Sequence, residues 1–447
     1  MAQRDAGAPA VTRTAGRIAP RTGGPDVAAR DALAADGGAP VRTRPYPPAL
    51  PPIEPEDAEA VAAVVRSGQL WRHGGRQVRE LEAAFALAHG LAPAHAVAST
   101  SGTAALHLAV GAIDPEPGDE IIAPPITDFG TIIPILAQNA IPVFADVRPD
   151  TWCIDPEDVA RRISPRTRAI VAVHLFGRPC ELGPLRQIAS AHGLALVEDC
   201  AQAILAEHEG RPVGTWGDFG CFSLQQSKHI TAGEGGLTLV RDGAHAARAR
   251  LFADKGWPRE GAVRTHVQFG MNYRMTEMQG AVARAQLPRL PALLARRRAL
   301  AARLDAALAQ AMGIVVPPLP AGSQSSYWQY AWSVPARAAE FAAAARAEGV
   351  PVASGYVTPL YLVPALRERR AYGGSAFPWG SPYARPQPPF EPGLCPAAET
   401  MADRLCYVTL HQGWSDEDAD DLGRAVRKVA RAFVRRGWWG EPRGPSA

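Results

Sequence analysis

Hydrophobic and polar positions follow two patterns along this chain, one typical of amphipathic helices and one typical of short buried strands. Residues 56–67 and 76–89 repeat apolar side chains with a helical period. Compact apolar runs predict strands at 94–98, 120–123, 142–147, 169–174 and 195–198, with helices at 104–112, 131–139 and 184–192. Short strands separated by helices are typical of a mainly parallel sheet covered on both faces, which indicates an α/β protein.

The alternation weakens after about residue 240, and the chain divides into three parts. Residues 1–44 are rich in Ala, Gly, Arg and Pro and have little periodicity, so we predict a disordered tail there. Residues 45–290 would form a large domain. Residues 291–440 would form a smaller C-terminal α/β domain, which contains a Pro/Gly-rich loop at 377–396 and ends in a helix at 416–435.

The composition narrows the class of protein. A formal net charge of +3 on 447 residues gives no electrostatic reason to expect nucleic acid or a membrane surface as partner. No apolar run approaches the roughly 20 residues needed to span a bilayer, and the start of the chain has no apolar segment typical of a secretory signal. The six cysteines stand singly, which is typical of free thiols in a reducing compartment. We therefore expect a cytoplasmic protein without a metal centre.

Lysine is rare in this sequence, and its few positions carry information. Of the 47 basic residues only Lys228, Lys255 and Lys428 are lysines. Arginine serves wherever a positive charge is enough, but it cannot form a Schiff base or act as a base near neutral pH. A retained lysine is therefore a candidate for amine chemistry. Lys428 lies in a basic run of the last predicted helix, where we expect it to be solvated.

Two segments at predicted strand ends contain groups that could bind a charged ligand, because ligand sites of open α/β sheets collect there. Residues 101–104 join a strand to a helix; small residues allow close approach, and a helix N-terminus offers amides to a phosphate. Residues 197–202 end a hydrophobic strand in Asp199, which could keep a pyridine nitrogen protonated. Taken alone, an ordinary N-cap and a capping aspartate are the simpler explanations.

A third segment, at 217–236, places Lys228 among Ser, Gln and Gly residues after an apolar strand. A lone lysine is usually a solvated surface charge, but the strand and the glycines favour a pocket. Ser223, five residues upstream, could supply a hydroxyl to the same phosphate. The three segments together predict a site where an amine, a carboxylate and phosphate-binding groups meet.

Seven blocks of the sequence, in this order and spacing, carry a family resemblance. They are STSGTAALHLAV, GDEIIAPPITDFGT, IPVFADV, VAVHLFGRP, VEDCAQA, GDFGCFSLQQSKHITAGEGG and MNYRMTEMQGAVARAQL. Over about residues 69–429 the chain resembles the DegT/DnrJ/EryC1/StrS family of sugar aminotransferases, which are fold type I enzymes that use pyridoxal 5′-phosphate (PLP). Within that family, the run SLQQSK…TAGEGG is most similar to the cyclitol (scyllo-inosose type) aminotransferases.

The resemblance implies a fold and a set of site residues. The large domain would carry a mainly parallel seven-stranded sheet and bind PLP. Lys228 would hold the cofactor as a Schiff base, and Asp199 would pair with its pyridine nitrogen. Further cofactor contacts are implied for Gly102, Thr103, Ala104 and Ser223 at the phosphate and for Gln202 near the phenolic oxygen. Asn272 would reach the phosphate of a neighbouring subunit, so a homodimer with shared active sites is expected.

One position departs from the family pattern. Family members usually have an aromatic residue directly after the threonine of their PxxT block, and its ring stacks on PLP. Here Thr127 is followed by Asp128 and then by Phe129. Either Phe129 takes over the stacking or the ring is covered in another way. Asp128 could instead meet a hydroxyl or an amine of the substrate.

The implied function is amino transfer from L-glutamate or L-glutamine to a keto-sugar or keto-cyclitol, in aminosugar or antibiotic biosynthesis. Two alternatives stay open. One is a PLP-dependent lyase similar to 3-amino-5-hydroxybenzoate synthases, which the run SGQLWRHGG resembles, although those proteins tend to have histidine where Gln202 stands. The other is a PLP-binding partner subunit without catalysis, which the intact lysine and carboxylate set argues against. Residues 355–361 and 377–396 are the expected substrate loops.

Overall fold

The computed structural model describes residues 32–260 and 263–439 of the chain, and its centre is a seven-stranded sheet. In the described residues the strands β1 to β13 are Ala96–Ser99, Glu120–Ala123, Ile141–Phe144, Thr167–Val173, Ala195–Asp199, Glu207–His208, Arg211–Pro212, Phe219–Ser223, Gly236–Val240, Ser323–Gln324, Gln329–Ser333, Ala353–Ser354 and Leu405–Thr409. The central sheet has the order β1-β9-β8-β5-β4-β2-β3. Its neighbours from β8 to β3 are parallel, and β9 runs antiparallel to both β1 and β8. The prediction of a mainly parallel seven-stranded sheet is confirmed.

Helices cover both faces of this sheet. In chain order the helices α1 to α13 of the described residues are Pro55–Ser67, Gln77–Ala88, Gly102–Ile113, Ile133–Ala137, Pro156–Arg162, Leu182–His192, Gly243–Ala253, Glu277–Gln286, Leu290–Leu308, Ala338–Ala347, Pro364–Arg367, Pro396–Arg404 and Asp416–Arg435. Successive residues of a strand point to opposite faces, so Ile121 of β2 joins one hydrophobic core and Ile122 joins another. Across the part of the chain that the structure describes, we find no helix with the length and apolar character of a membrane span.

One helix differs from its predicted bounds because turns limit it on both sides. The helix predicted at 131–139 spans only Ile133–Ala137. A turn of 3₁₀ helix, Phe129–Thr131, precedes it, and Asn139 adopts a φ of 60° after it. This left-handed conformation does not continue an α-helix. The segment before the helix therefore remains a turn, and it lines a cavity at the edge of the sheet.

The C-terminal part of the chain has its own antiparallel sheet and its own hydrophobic core. Strands β11, β13 and β12 pair antiparallel in that order. Phe341 of α10 and Phe433 of α13 pack with Trp332 of β11 in a cluster that is separate from the two clusters of the central sheet. Tyr361, Trp379 and Phe390, however, belong to a core cluster of the central sheet, so the division into domains at 45–290 and 291–440 stays a prediction.

The segment 32–44, here called the N-terminal arm, packs against the C-terminal part of the chain. Glu348 accepts hydrogen bonds from the backbone amides of Ala34, at 2.8 Å, and Val41, at 3.1 Å. A buried carboxylate thus satisfies backbone groups that would otherwise need another partner. The prediction of a disordered tail up to residue 44 is wrong for this arm; residues 1–31 lie outside the described residues.

Lys428, which we expected to be solvated, is buried against the N-terminal arm instead. Its Nζ donates to Glu348 Oε2 at 2.9 Å and to a backbone carbonyl of the arm at 2.8 Å. Arg42 of the arm is also buried, and its Nη1 lies 2.8 Å from carboxylate oxygens of both Asp418 and Asp421. The basic run of the last helix could not indicate these pairs, because their partners lie far away in the sequence.

The buried pairs of Arg42 should contribute more to stability than exposed pairs of the same arm. We expect Arg42→Ala to lower the free energy of unfolding by about 3–5 kcal/mol, because it leaves buried carboxylates without their cation. Arg44→Ala is the matched control: the Arg44 side chain is 50% exposed, compared with 2% for Arg42, and its loss should cost about 1 kcal/mol or less. Denaturant unfolding followed by tryptophan fluorescence measures both, and equal losses would contradict this account of the arm.

Candidate active site

A cavity of about 410 Å³ opens where the carboxyl ends of β4 and β5 meet the start of α3. Seven of the ten candidate site residues line it: Gly102, Thr103, Asp128, Asp199, Gln202, Ser223 and Lys228. The other three, Ala104, Phe129 and Asn272, do not line it. The parallel strands bring these residues together because their carboxyl ends share one edge of the sheet.

The Lys228 amine lies against an aromatic ring, 4.0 Å from the ring centroid of Trp328. The indole Nε1 of Trp328 donates to the Ser227 carbonyl at 2.8 Å, which fixes the ring beside the lysine. Burial lowers the pKa of Lys228, and the negative charges of Asp199 and Asp128 offset this shift only in part. At a given pH the amine is therefore more often neutral, and more nucleophilic, than an exposed lysine.

Asp199 ends β5 and holds a buried carboxylate in a fixed orientation. The residue is 5% exposed. Its Oδ2 accepts a hydrogen bond from Thr131 Oγ1 at 2.8 Å, and its Oδ1 accepts one from the Ala201 amide at 3.0 Å. Burial raises the pKa of Asp199, and these two hydrogen bonds act in the opposite direction. A cation beside this carboxylate would stabilise its charged form, as a protonated ring nitrogen would.

The other end of the cavity is a cradle of small residues at the N-terminus of α3. A Cβ added to Gly102 would lie 2.8 Å from the Cβ of Ser223. A Cβ added to Gly130 would lie 2.7 Å from Thr103 Oγ1. Glycine is therefore required at both positions for this close approach. Two hydroxyls and the N-terminus of a 12-residue helix surround the space, a combination suited to a phosphate.

The amide of Ala104 takes part in the N-cap of α3, and its predicted phosphate contact stays a prediction. It donates to Oγ of Ser101, the N-cap of α3, at 3.0 Å. A phosphate would have to compete with this cap for the amide. Gly102 and Thr103, by contrast, line the cavity wall.

Gln202 connects the cavity to the C-terminal part of the chain. Its Oε1 accepts a hydrogen bond from the Phe176 amide at 2.7 Å, and its Nε2 donates to the Tyr356 hydroxyl at 2.9 Å. Burial raises the pKa of Tyr356, so this hydroxyl keeps its proton at neutral pH. Both ends of the Gln202 amide are thus held in place at the cavity wall.

The two expected substrate loops lie in different places. Tyr356, from 355–361, lines the cavity, but no residue of 377–396 does. Trp379 and Phe390 of the second loop are buried in the core beside the central sheet. The loop 377–396 therefore does not reach the cavity of its own chain, because a Pro/Gly-rich composition predicts a loop but not the surface on which it packs.

Asp128, the residue that departs from the family pattern, lies at the cavity wall. Its Oδ1 accepts a hydrogen bond from the Gly130 amide at 2.7 Å. Phe129 is half-buried and packs against the core beside the central sheet. The expectation that Phe129 takes over the stacking does not fit this arrangement, because the ring fills a core position. A carboxylate thus lies at the position where family members usually have an aromatic ring.

Several residues of the cavity were not predicted, among them Thr131, Val173 and Trp328. Thr131 was assigned to a helix, and nothing in its neighbourhood indicates a contact with Asp199. Trp328 follows Lys228 by 100 residues, so local sequence contains no signal for their contact. Val173, the last residue of β4, could have been inferred from the rule that strand ends line such sites.

Asn272 lies outside the cavity. It is exposed and pairs with Asp254 in an isolated antiparallel bridge. A separate cavity of about 710 Å³, lined by His73, Asp254 and Arg259 among others, is found beside it. The contact of Asn272 with the phosphate of a second subunit stays a prediction.

His174, Glu198 and Cys200 are the potential metal ligands that lie within 4.8 Å of one another in the described residues. The Cys180 amide donates to His174 Nδ1 at 3.0 Å, and His174 Nε2 lies 3.1 Å from Glu198 Oε2. Two further backbone amides donate to the Glu198 carboxylate, at 2.7 and 2.6 Å. The cluster is thus a buried hydrogen-bond network that holds the end of β5 next to Asp199.

A model of the DegT/DnrJ/EryC1/StrS aminotransferase family matches residues 51–384, which is most of the chain. The chain belongs to this family. Among its relatives is the L-glutamine:2-deoxy-scyllo-inosose aminotransferase of Streptomyces kanamyceticus, 39% identical over 429 residues that cover 90% of this chain and 96% of that protein. The family prediction and the assignment as an aminotransferase are confirmed.

Solved structures of DegT/DnrJ/EryC1/StrS proteins and their neighbours have the same fold. The aminotransferase TlmJ of Streptoalloteichus hindustanus is 31% identical, with a TM-score of 0.75 over 86% of this chain and 98% of that one. A 3-amino-5-hydroxybenzoic acid synthase is 28% identical, with a TM-score of 0.77 over 88% of this chain and 100% of that one. An aminotransferase and a synthase thus share this scaffold, so fold alone does not select the substrate.

Proposed function

We propose that this DegT/DnrJ/EryC1/StrS protein transfers the amino group of L-glutamine to the ketone of a keto-cyclitol, with PLP as cofactor, in antibiotic biosynthesis. The observation that carries the chemistry is that Lys228 and Asp199 line one cavity. The donor and acceptor classes are supported by relatives named L-glutamine:2-deoxy-scyllo-inosose aminotransferase, which are 36–39% identical over about nine tenths of the chain.

The residues of the cavity fit PLP at both ends. Lys228 would hold the aldehyde carbon, and Asp199 would hold the ring nitrogen. Thr103 and Ser223 would hold the phosphate, and Gly102 leaves room for it. When bound, PLP supplies an aldehyde that reacts with amines and a cationic ring that withdraws electrons.

Lys228 would move the proton during transfer. Because burial lowers its pKa, Nζ is able to accept the proton from the α-carbon of the amino donor and to return it later. The ring of Trp328 restricts where this amine lies and covers one side of it. Asp199 would remain ionised beside the ring nitrogen, held by Thr131 and the Ala201 amide.

The carboxylate of Asp128 favours a polyhydroxylated compound as the acceptor of the amino group. Its carboxylate is exposed at the cavity wall, where the family pattern has an aromatic ring. An ionised carboxylate accepts hydrogen bonds from hydroxyl groups, which a cyclitol carries on every side of its ring. The Tyr356 hydroxyl and the Gln202 amide offer further polar contacts at the same wall.

The close approach of Gly102 to Ser223 makes PLP affinity sensitive to one methyl group. Gly102→Ala should weaken PLP binding by about 1–3 kcal/mol, because the new Cβ overpacks the phosphate cradle. Gly183→Ala is the matched control, since no atom lies within 4 Å of the Cβ that it would add. Titration of PLP into the apoproteins, followed by absorbance, measures both affinities. An unchanged affinity in the Gly102 variant would argue against a phosphate at this cradle.

We also propose that the active sites are shared in a homodimer, because Asn272 is exposed and lies outside its own cavity. Lys228→Ala and Asn272→Ala should each be nearly inactive alone. Mixed and allowed to exchange subunits, they should recover about a quarter of the native activity, since half of the random dimers carry one intact site. A mixture with no more activity than its components would contradict shared sites.

An amino-transfer assay with purified holoenzyme tests the proposed function. With L-glutamine as donor, 2-deoxy-scyllo-inosose should be converted to its amine faster than a nucleotide-linked keto-sugar is, as measured by mass spectrometry. Replacing L-glutamine by L-glutamate tests the donor. Turnover with the nucleotide-linked sugar alone would contradict the acceptor class, and an aromatic product would favour the lyase. Bound PLP without turnover of any acceptor would favour the non-catalytic partner subunit.

A further inference from the structure

A second cavity, of about 450 Å³, lies between the turn after β4 and the start of β11. It shares no lining residue with the cavity of Lys228. Its walls come from Arg178 of the turn, from Leu308 at the end of α9, from residues 314 and 316–319, and from Gln329 and Tyr330 of β11. Its volume is within the range of sites that bind small molecules.

Arg178 is a buried cation that lines this cavity, and it is only 6% exposed. Its Nη2 donates to the carbonyls of Pro317, at 2.7 Å, and Pro318, at 2.6 Å. Its Nε has no hydrogen-bond partner, and no carboxylate of the described segments lies within ion-pair distance of it. A buried guanidinium without an anion is unfavourable, and an unmade hydrogen bond on it adds to that cost.

The same cavity also offers an acceptor and a negative charge. Gln329 is 7% exposed, and its Oε1 has no hydrogen-bond partner in the described part of the chain. Asp305 is exposed at the rim, where its Oδ1 accepts a hydrogen bond from the Tyr330 hydroxyl at 2.7 Å. Between these polar groups the walls are apolar, with Leu308 and Val316. The cavity therefore combines a cation, an acceptor, an anion and an apolar surface.

We propose that this cavity binds a small α-amino acid with an apolar side chain, at a site separate from the catalytic cavity. Its carboxylate pairs with the Arg178 guanidinium and supplies an anion within ion-pair distance. Its ammonium faces the Gln329 side-chain amide and Asp305, and its side chain packs on Leu308 and Val316. A simple anion would be repelled by the charge of Asp305, and a simple cation would be repelled by Arg178. A zwitterion can place an opposite charge beside each of them.

Two segments that line the second cavity also contact or adjoin Trp328, which lines the catalytic cavity. Gln329 directly follows Trp328, whose ring lies against the Lys228 amine. The turn that carries Arg178 also contains Gly177, whose carbonyl accepts hydrogen bonds from Ser325 Oγ at 2.8 Å and from the Ser326 amide at 3.1 Å. An occupant of the second cavity would therefore contact the elements that position Trp328.

Calorimetric titration of the holoenzyme with L-leucine tests the proposal. Saturable binding is expected, and 4-methylpentanoate, without the ammonium, and 3-methylbutylamine, without the carboxylate, should each bind at least about tenfold more weakly. Arg178→Met should lose at least about tenfold in affinity for L-leucine. Holoenzyme whose cofactor has been fixed to Lys228 by borohydride should bind L-leucine as the untreated protein does, because the reduced cofactor in the other cavity cannot react with amines.

A second pair of variants covers the case in which Arg178→Met does not fold. Ala309, which directly follows α9, lines the second cavity and is exposed, whereas Ala306, exposed on α9, does not line it. Ala309→Trp should abolish binding of L-leucine by filling the cavity, and Ala306→Trp should leave it unchanged. Absence of binding at millimolar L-leucine would overturn the proposal. Binding that Ala309→Trp does not affect, or that borohydride reduction of the holoenzyme abolishes, would overturn it as well.

Discussion

Replacing Lys228 by alanine is expected to reduce amino transfer by about 10⁴-fold or more, because the variant loses a proton carrier worth about 10²–10⁴ in rate and also the covalent attachment of PLP. Lys228→Arg should be equally inactive. It keeps a positive charge against Trp328 and Asp199 but cannot lose its proton near neutral pH. Single-turnover reaction of the bound cofactor with L-glutamine, followed by absorbance, measures the loss directly.

The matched control for this prediction is Lys255→Arg, because Lys255 does not line the catalytic cavity. This variant should keep the native rate within about threefold, as expected for a surface charge that arginine can replace. In the native protein the rate should rise with pH through the pKa of Lys228, since only the neutral amine accepts a proton. Burial lowers that pKa, so the rise should occur at lower pH than for an exposed lysine. A Lys228→Ala protein with native turnover would refute the assignment.

Replacing Asp199 by asparagine should lower the rate of the glutamine half-reaction by about 10²–10³-fold, which corresponds to removal of one partner from a buried ion pair. The substitution keeps the shape of the side chain but removes the charge that would hold the ring nitrogen protonated. Asp128→Asn is the matched control, since it removes a carboxylate from the same cavity at a more exposed place.

Asp128→Asn should slow the glutamine half-reaction by less than about tenfold, as expected for loss of an exposed charge. Its larger effect should be on KM for the cyclitol acceptor. Stopped-flow absorbance separates the two half-reactions. Equal effects of both variants on the glutamine half-reaction would contradict the role assigned to the burial of Asp199.

The site residues that could be predicted from local sequence are those at the ends of buried strands. Asp199 follows a short apolar run, and Lys228 follows another within a glycine-rich turn, so both were predicted with their environment. They meet because β5 and β8 are parallel neighbours in the central sheet. The family resemblance implied seven strands but periodicity did not give their order, since an apolar run of four or five residues contains no information about its neighbours.

Local sequence could not predict residues whose contacts are with residues far away along the chain. Trp328 and Lys428 are examples: one lies against Lys228, and the other pairs with Glu348. Phe129 illustrates a different limit. Sequence places it next to Asp128, but which of two neighbouring side chains faces a cavity depends on the path of a single turn, and here the ring packs on the core.

The central claim is that the amine of Lys228 holds PLP, and chemical reduction tests it most directly. The holoenzyme would be treated with sodium borohydride, digested and mapped by mass spectrometry. The account predicts a pyridoxyl phosphate group bonded to Lys228. A protein that takes up no PLP, or one labelled at Lys255 or Lys428 instead, would contradict it.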